Sequence, residues 1–195
     1  MRKLLTILCF AILVVGCKNL NKNEKKEILN AQEIKQQVKS VKKKVLSPHA
    51  TAMTMIGDAH IHMDYSSPGV RNRIIFGGLL SYDAVWQAGA HNATWLETNK
   101  DLVIAGKTLT AGKYGFFIIP SKEEWIVIFN TNWDQHGKDE YDTKDDVLRL
   151  KVKPIISETV TEHLEYKVKK VNNNEGSISL AWEKVSISFN FTIQK

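Results

Sequence analysis

Residues 57–73 read GDAHIHMDYSSPGVRNR, and the alternation inside them decides the fold class. Taken as a strand over 59–65, the segment sends Ala59, Ile61, Met63 and Tyr65 to one face and Asp58, His60, His62 and Asp64 to the other. Successive side chains of a strand point to opposite sides, so period two is a strand's signature. An apolar face backed by a polar one belongs to a sheet that covers a core on one side and meets water on the other.

The same pattern runs through most of the chain. Segments rich in Val, Ile, Thr, Phe, Tyr and Trp predict strands near 51–56, 59–65, 93–97, 102–105, 114–119, 125–130, 147–153, 162–171, 177–182 and 185–193. Asn99-Lys100, Gly106-Lys107, Ala111-Gly112-Lys113 and 172–176 are turn signals between them. Only 79–87 lacks clear β character, and it reads as a helical turn or an irregular crossing. About ten short, mainly antiparallel strands predict an all-β domain over 48–195, a single β-sandwich or jelly-roll-like fold. No internal repeat or second domain is evident.

The first 47 residues differ in kind. Arg2 and Lys3 precede an uncharged apolar run over 4–16, too short to span a bilayer, which predicts a signal peptide over 1–16. It closes on Val14-Val15-Gly16-Cys17, which looks like a bacterial lipobox, so Cys17 is expected to carry lipid and begin the mature chain. The only other cysteine is Cys9, inside the signal. The domain therefore has no disulfide, no thiolate zinc site and no cysteine nucleophile.

Residues 18–47 hold nine lysines against three glutamates, a net +6 equal to the charge of the whole chain. The domain itself, with 16 basic and 18 acidic residues, is mildly acidic. The basic charge thus lies in a tether over 17–47, where lysines near an anionic bilayer gain roughly 1 kcal/mol each. Ile34, Val38, Val41 and Val45 recur at helical spacing within it, so the tether reads as a narrow amphipathic helix or a disordered spacer. Lipid and basic tether together predict a membrane partner and a bacterial cell envelope location, periplasm-facing or outer-membrane. A basic pI of this origin gives no footprint for nucleic acid.

Two groups of residues could carry chemistry. His60 and His62 stand roughly 6.5–7 Å apart on one strand face, close enough to converge on one ion. With His91 as third ligand and Glu97 as an oxygen donor they would suit a divalent transition metal, zinc first, in a metal-dependent hydrolase. The alternative is the wet face of a sandwich strand, which needs no function. His49, His136 and His163 show no mutual spacing and read as surface residues.

The second group is Tyr65, Ser66, Arg71, Arg73, Trp86, His91, Asn92 and Thr94, a candidate polar cleft for a small ligand. Arginine offers a planar fork and tryptophan a flat wall. Against it stands the reading of Trp86 as a core plug. The acidic stretch 130–142 lacks calcium-loop spacing and reads as a long surface loop able to border a pocket. No Gly-x-Ser-x-Gly, His-Glu-x-x-His or phosphate loop is present.

YSSPGVRNRIIFGGLLSYDAVWQAGAHNATWLE (65–97) resembles the signature of the DUF2911 family of bacterial exported proteins. LTAGKYGFFIIPSKEEWIVIFN, DVLRLKVKP and SLAWEKVSISFNF continue the likeness in order across 47–193. The resemblance implies a compact β-rich domain, exported or lipid-anchored, and no assigned activity. Arg71 and Arg73 match the family's basic pair, whereas Ser67 and Gln87 stand where the resemblance leads one to expect arginine, and His91 where Asn or Asp is common.

These readings favour a non-catalytic envelope lipoprotein that acts as a binding or accessory module. The metal-dependent hydrolase is the alternative, and a structural partner in an envelope complex, with an exposed apolar patch, is a third.

Overall fold

The structure, a computed structural model, describes residues 45–194 together with Lys26. The expected signal peptide, Cys17 and nearly all of the tether lie outside the described residues.

Ten strands follow one another: β1 His49–Ile56, β2 Ala59–Ser66, β3 Thr94–Thr98, β4 Leu102–Ile104, β5 Lys107–Leu109, β6 Gly112–Ile119, β7 Trp125–Asn130, β8 Asp146–Val152, β9 Ile155–Lys170 and β10 Glu175–Ile193. They form a six-stranded sheet in the order β1-β2-β3-β6-β7-β8 and a four-stranded sheet in the order β5-β4-β10-β9, every pairing antiparallel. This is the expected all-β, sandwich-like fold.

Alternation builds the core. Burial alternates strictly along β2, with Ala59, Ile61, Met63 and Tyr65 buried and His60, His62, Asp64 and Ser66 half-buried on the other face. Leu96, Phe116, Val127, Phe129 and Leu148 from the large sheet meet Leu164, Tyr166, Ile178, Leu180, Trp182 and Phe191 from the small one. Burying such side chains is worth roughly 1.5–3 kcal/mol each, which lets a cysteine-free domain of this size hold together by packing.

Two predicted boundaries change. The strands expected at 177–182 and 185–193 are one 19-residue strand, β10. The pairing register with β9 shifts on either side of Glu183, whose φ is 55°. A bulge inserts a residue and bends a strand without ending its ladder. It also switches the inward phase from Ile178, Leu180 and Trp182 to Ile187, Phe189, Phe191 and Ile193. The second change is at Gly106-Lys107, where the turn leads straight into the short strand β5, paired with β4.

Between β2 and β3 the chain crosses irregularly over 67–93, tacked down by isolated bridges from Gly69 to His163 and from Trp86 to Ile118. The crossing delivers Val70, Ile75, Phe76 and Trp86 to the core. It carries the positive φ angles of Arg71, Asn72, Asp83, Ala88 and His91, as expected of a chain turning without regular pairing.

Candidate functional site

Most residues of the expected polar cleft are committed to packing or to the backbone of the crossing. Trp86 is 4% exposed, stacks on Trp182 at 5.7 Å between ring centres, and donates its Nε1–H to Gly89 O at 3.0 Å. Tyr65 is buried edge-on against Tyr166, and its hydroxyl accepts from the Tyr166 N–H at 3.3 Å. Burial raises the pKa of both phenols, so both remain neutral. Thr94 donates to Ala88 O at 3.0 Å.

Arg73 spends its fork on the carbonyls of Gly69 and Val70, at 2.6 and 3.0 Å. Arg71 is exposed, and its backbone N–H donates to Glu162 Oε1 at 2.9 Å. Ser66 sits half-buried opposite His49 on the outer face. Asn92 is exposed and bridges to His136, while the carbonyl of His91 accepts from Gly137 N at 2.7 Å. A depression of about 220 Å³ beside Trp86 is lined by Leu79, Ser81, Val85, Gln87 and Lys138 among others, and by none of Arg71, Arg73 or His91. These residues hold the crossing in place.

The histidine triad does not assemble. Ile61 pairs with Thr98, and the His60 N–H donates to Asn99 Oδ1 at 2.7 Å, so His60 lies at the far end of β3. His91 precedes the near end, beyond about 16 Å of strand at ~3.3 Å per residue, whereas ligand bonds need ~2.0–2.1 Å. Among the described residues no group of three or more His, Cys, Asp or Glu is placed to hold a metal. The antiparallel register puts the loop that carries His91 at the other end of β3 from His60.

What the fold does build is the outer face of the six-stranded sheet. Met53, His62, Glu97 and Lys113 form one transverse row across β1, β2, β3 and β6. Thr51, Asp64, Trp95, Gly115 and Asn130 form the next. Gly115 leaves a gap opposite Trp95. A Cβ there would lie 2.7 Å from Phe117 Cε2, 3.1 Å from Asn132 O and 3.3 Å from Trp133 Cα. The missing side chain lets the 131–145 loop descend onto the sheet and set Trp133 beside Trp95, 6.4 Å between centres and edge to face.

Lys113 lies over both indoles, with Nζ 3.5 Å from the Trp95 ring centre and 3.6 Å from that of Trp133. Each such contact is worth roughly 0.5–2 kcal/mol. His62 packs against Trp95 with ring centres 5.0 Å apart and planes close to perpendicular.

The loop is anchored from below. Asn130, fully buried, donates to Asp142 O at 3.0 Å and Asp146 Oδ1 at 2.7 Å, and accepts from Asn132 N at 2.8 Å. Asp146 also accepts from Tyr141 at 2.9 Å and pairs with Arg149 at 2.6 Å. Burial, followed by the hydrogen bond to Asp146, pushes the Tyr141 phenol up to about 12, keeping it a donor.

Trp95, Lys113 and Trp133 were not among the expected site residues. Alternation over 93–97 puts Trp95 opposite in face to Leu96, and this is the one signal that could have found it. Elsewhere, Ile155, Ile156 and Val160 are exposed along the first half of β9.

A family model described as a protein of unknown function, DUF2911, matches residues 47–191 of the chain. No curated protein matches it, and no solved structure does.

Proposed function

We propose that this chain, which belongs to the DUF2911 family, is a lipid-anchored protein of the bacterial cell envelope that acts as a binding module. Its ligand surface is the outer face of the six-stranded sheet, and its ligand is a saccharide. The observation that carries this reading is the Trp95–Lys113–Trp133 group: two half-buried indoles on an outward face, held rigid around a cation. Indole faces stack on the apolar face of a sugar ring, while Lys113 and the exposed Glu97 in the next row meet hydroxyl or carboxylate groups at its edge. A platform already ordered loses little entropy on binding.

The anchor is the lipid expected on Cys17, aided by the tether lysines. A Cys17→Ser variant should leave the membrane fraction for the soluble one; membrane retention equal to wild type would remove the lipid anchor from this reading.

For the ligand, the lipidated protein in detergent is titrated with neutral and acidic oligosaccharides while indole fluorescence is followed. Saturable quenching is expected, weakened about 10-fold or more in Trp95→Ala and Trp133→Ala, since a stacked ring contributes roughly 1–2 kcal/mol. Both variants should keep most of their stability, because each indole is only half-buried. No response to any saccharide, or equal binding by both variants, would sink the saccharide reading.

A further inference from the structure

We infer that the outer face of the β1–β2 hairpin is a site for copper(I), held by the thioethers of Met53 and Met55 and the imidazoles of His60 and His62. The proposal does not depend on the saccharide reading; the site lies on the same sheet face beside the Trp95–Lys113–Trp133 group, and meets it where His62 packs against Trp95 and pairs with Glu97.

The register sets the four ligands in a quadrilateral. Met53 pairs directly with His62, and Met55 directly with His60. Directly opposed residues place their Cβ atoms roughly 4.5–5.5 Å apart, and same-face neighbours along a strand lie roughly 6.5–7 Å apart. All four side chains point away from the core, as the alternate burial of both strands requires. The two imidazole centres are 5.9 Å apart. Two imidazoles that share one ion through ~2.0 Å bonds have centres roughly 5–6 Å apart, so small side-chain rotations suffice. Methionine, with three rotatable bonds and a polarizable sulfur, can close onto the ion from the neighbouring strand.

Two observations single these residues out. Met53 and Met55 are 55% and 53% exposed on an edge strand, while Met63, on the inward face of β2, is fully buried. The outward methionines therefore contribute little to the core. In addition, His62 Nε2 is shielded from solvent without a hydrogen-bond partner. An unpartnered buried nitrogen is destabilising, and a metal bond would supply the missing interaction.

The donor set selects the ion. Thioethers are soft and neutral, which suits copper(I), while zinc, calcium and magnesium favour thiolate, imidazole or oxygen donors. Of the neighbouring carboxylates, Asp64 is engaged at 2.7 Å by His49, and Glu97 pairs with His62 from β3, on the side away from the methionines of β1. A monovalent ion needs less compensating charge than a divalent one, and four neutral ligands fit it.

The test uses the full chain without added histidines, under anaerobic reducing conditions, with copper(I) supplied from its coloured bicinchoninate complex. One equivalent withdrawn per chain is expected, with quenching of the neighbouring Trp95. Met53→Leu/Met55→Leu keeps the bulk of two exposed side chains and should preserve the unfolding midpoint, yet lower copper(I) affinity about 10-fold or more. His60→Ala/His62→Ala should do the same. Failure of the wild type to withdraw copper would overturn the site, as would a methionine variant that binds as well as wild type. Zinc(II) binding tighter than copper(I) would overturn it too, by assigning the face to imidazole alone.

Discussion

Replacing Trp86 by alanine is expected to lower the unfolding free energy by about 3–5 kcal/mol. In a domain of this size that lowers the melting temperature by roughly 8–15 °C. The expectation rests on where the indole lies. It is 4% exposed, stacked on Trp182 and set edge to face against Phe76 at 6.2 Å. Its truncation opens a cavity bounded by Phe76 and Trp182, which pack on each other while Phe76 also packs on Trp125, so the site cannot collapse cheaply.

The backbone adds to the loss. Trp86 N–H donates to Ile118 O at 2.8 Å and Ile118 N–H to Trp86 O at 2.9 Å, so the crossing is stitched to β6 at this residue. Trp86→Phe should recover most of the packing but leave Gly89 O without its indole donor, a loss nearer 1–2 kcal/mol. Chemical denaturation of the three proteins checks the series. A loss below about 1 kcal/mol for Trp86→Ala would return the residue to the role of an exposed ligand wall.

The second large effect is expected for Asn130→Asp, and it depends on pH. Near neutrality the variant should lose about 3–5 kcal/mol, the range for an uncompensated buried charge. The native amide donates to Asp146 Oδ1 at 2.7 Å and to Asp142 O at 3.0 Å. A carboxylate there faces a second carboxylate and a carbonyl with no proton to offer. Like charge and burial both raise the new group's folded pKa above its unfolded value of ~3.9. A group shifted in that direction favours the folded state most at low pH, and the contribution is lost as pH rises through the folded pKa.

The gap between variant and wild type should therefore narrow as pH falls from 7 toward 4. An acid carboxyl can donate again to Asp146 or Asp142, as the amide did. Urea unfolding of both proteins at pH 7 and pH 4 measures this, and a gap independent of pH would mean that lost shape, not charge, is responsible. The same substitution should loosen the 131–145 loop that carries Trp133, because the amide donor to Asp142 O and Asp146 Oδ1 is lost, although the acceptor for Asn132 N–H is kept.

These two residues show how far a one-dimensional reading reaches. Trp86 was visible as a tryptophan near arginines, and sequence neighbourhood made it look like a pocket wall. It is core because the 67–93 crossing is bridged to β6 at Ile118 and to β9 at His163, which no local period encodes. Arg71 and Arg73 share its segment, yet Arg73 is spent on two carbonyls three and four residues behind it. Asn130 ended a predicted strand and carried no signal, since its partners are 12 and 16 residues further on. Gly115 is similar: its value lies in a backbone that approaches from another element.

The pattern of apolar residues was sufficient for the class of fold, the inward face of β2 and most strand positions. Period two is a local property, and burial follows it wherever one face of a sheet is covered. It was sufficient also to put His60 and His62 together on the outward face. Which side chains stand next to them was decided elsewhere, by pairing register and by the loops laid over the sheet. Antiparallel pairing sends the end of β3 to His60 and leaves His91 at the other end. The same rule, applied to β1, brings Met53 and Met55 opposite the two imidazoles. Register is a relation between distant segments, fixed by turns and core packing together, and so the neighbours of the histidine pair belong to the tertiary structure.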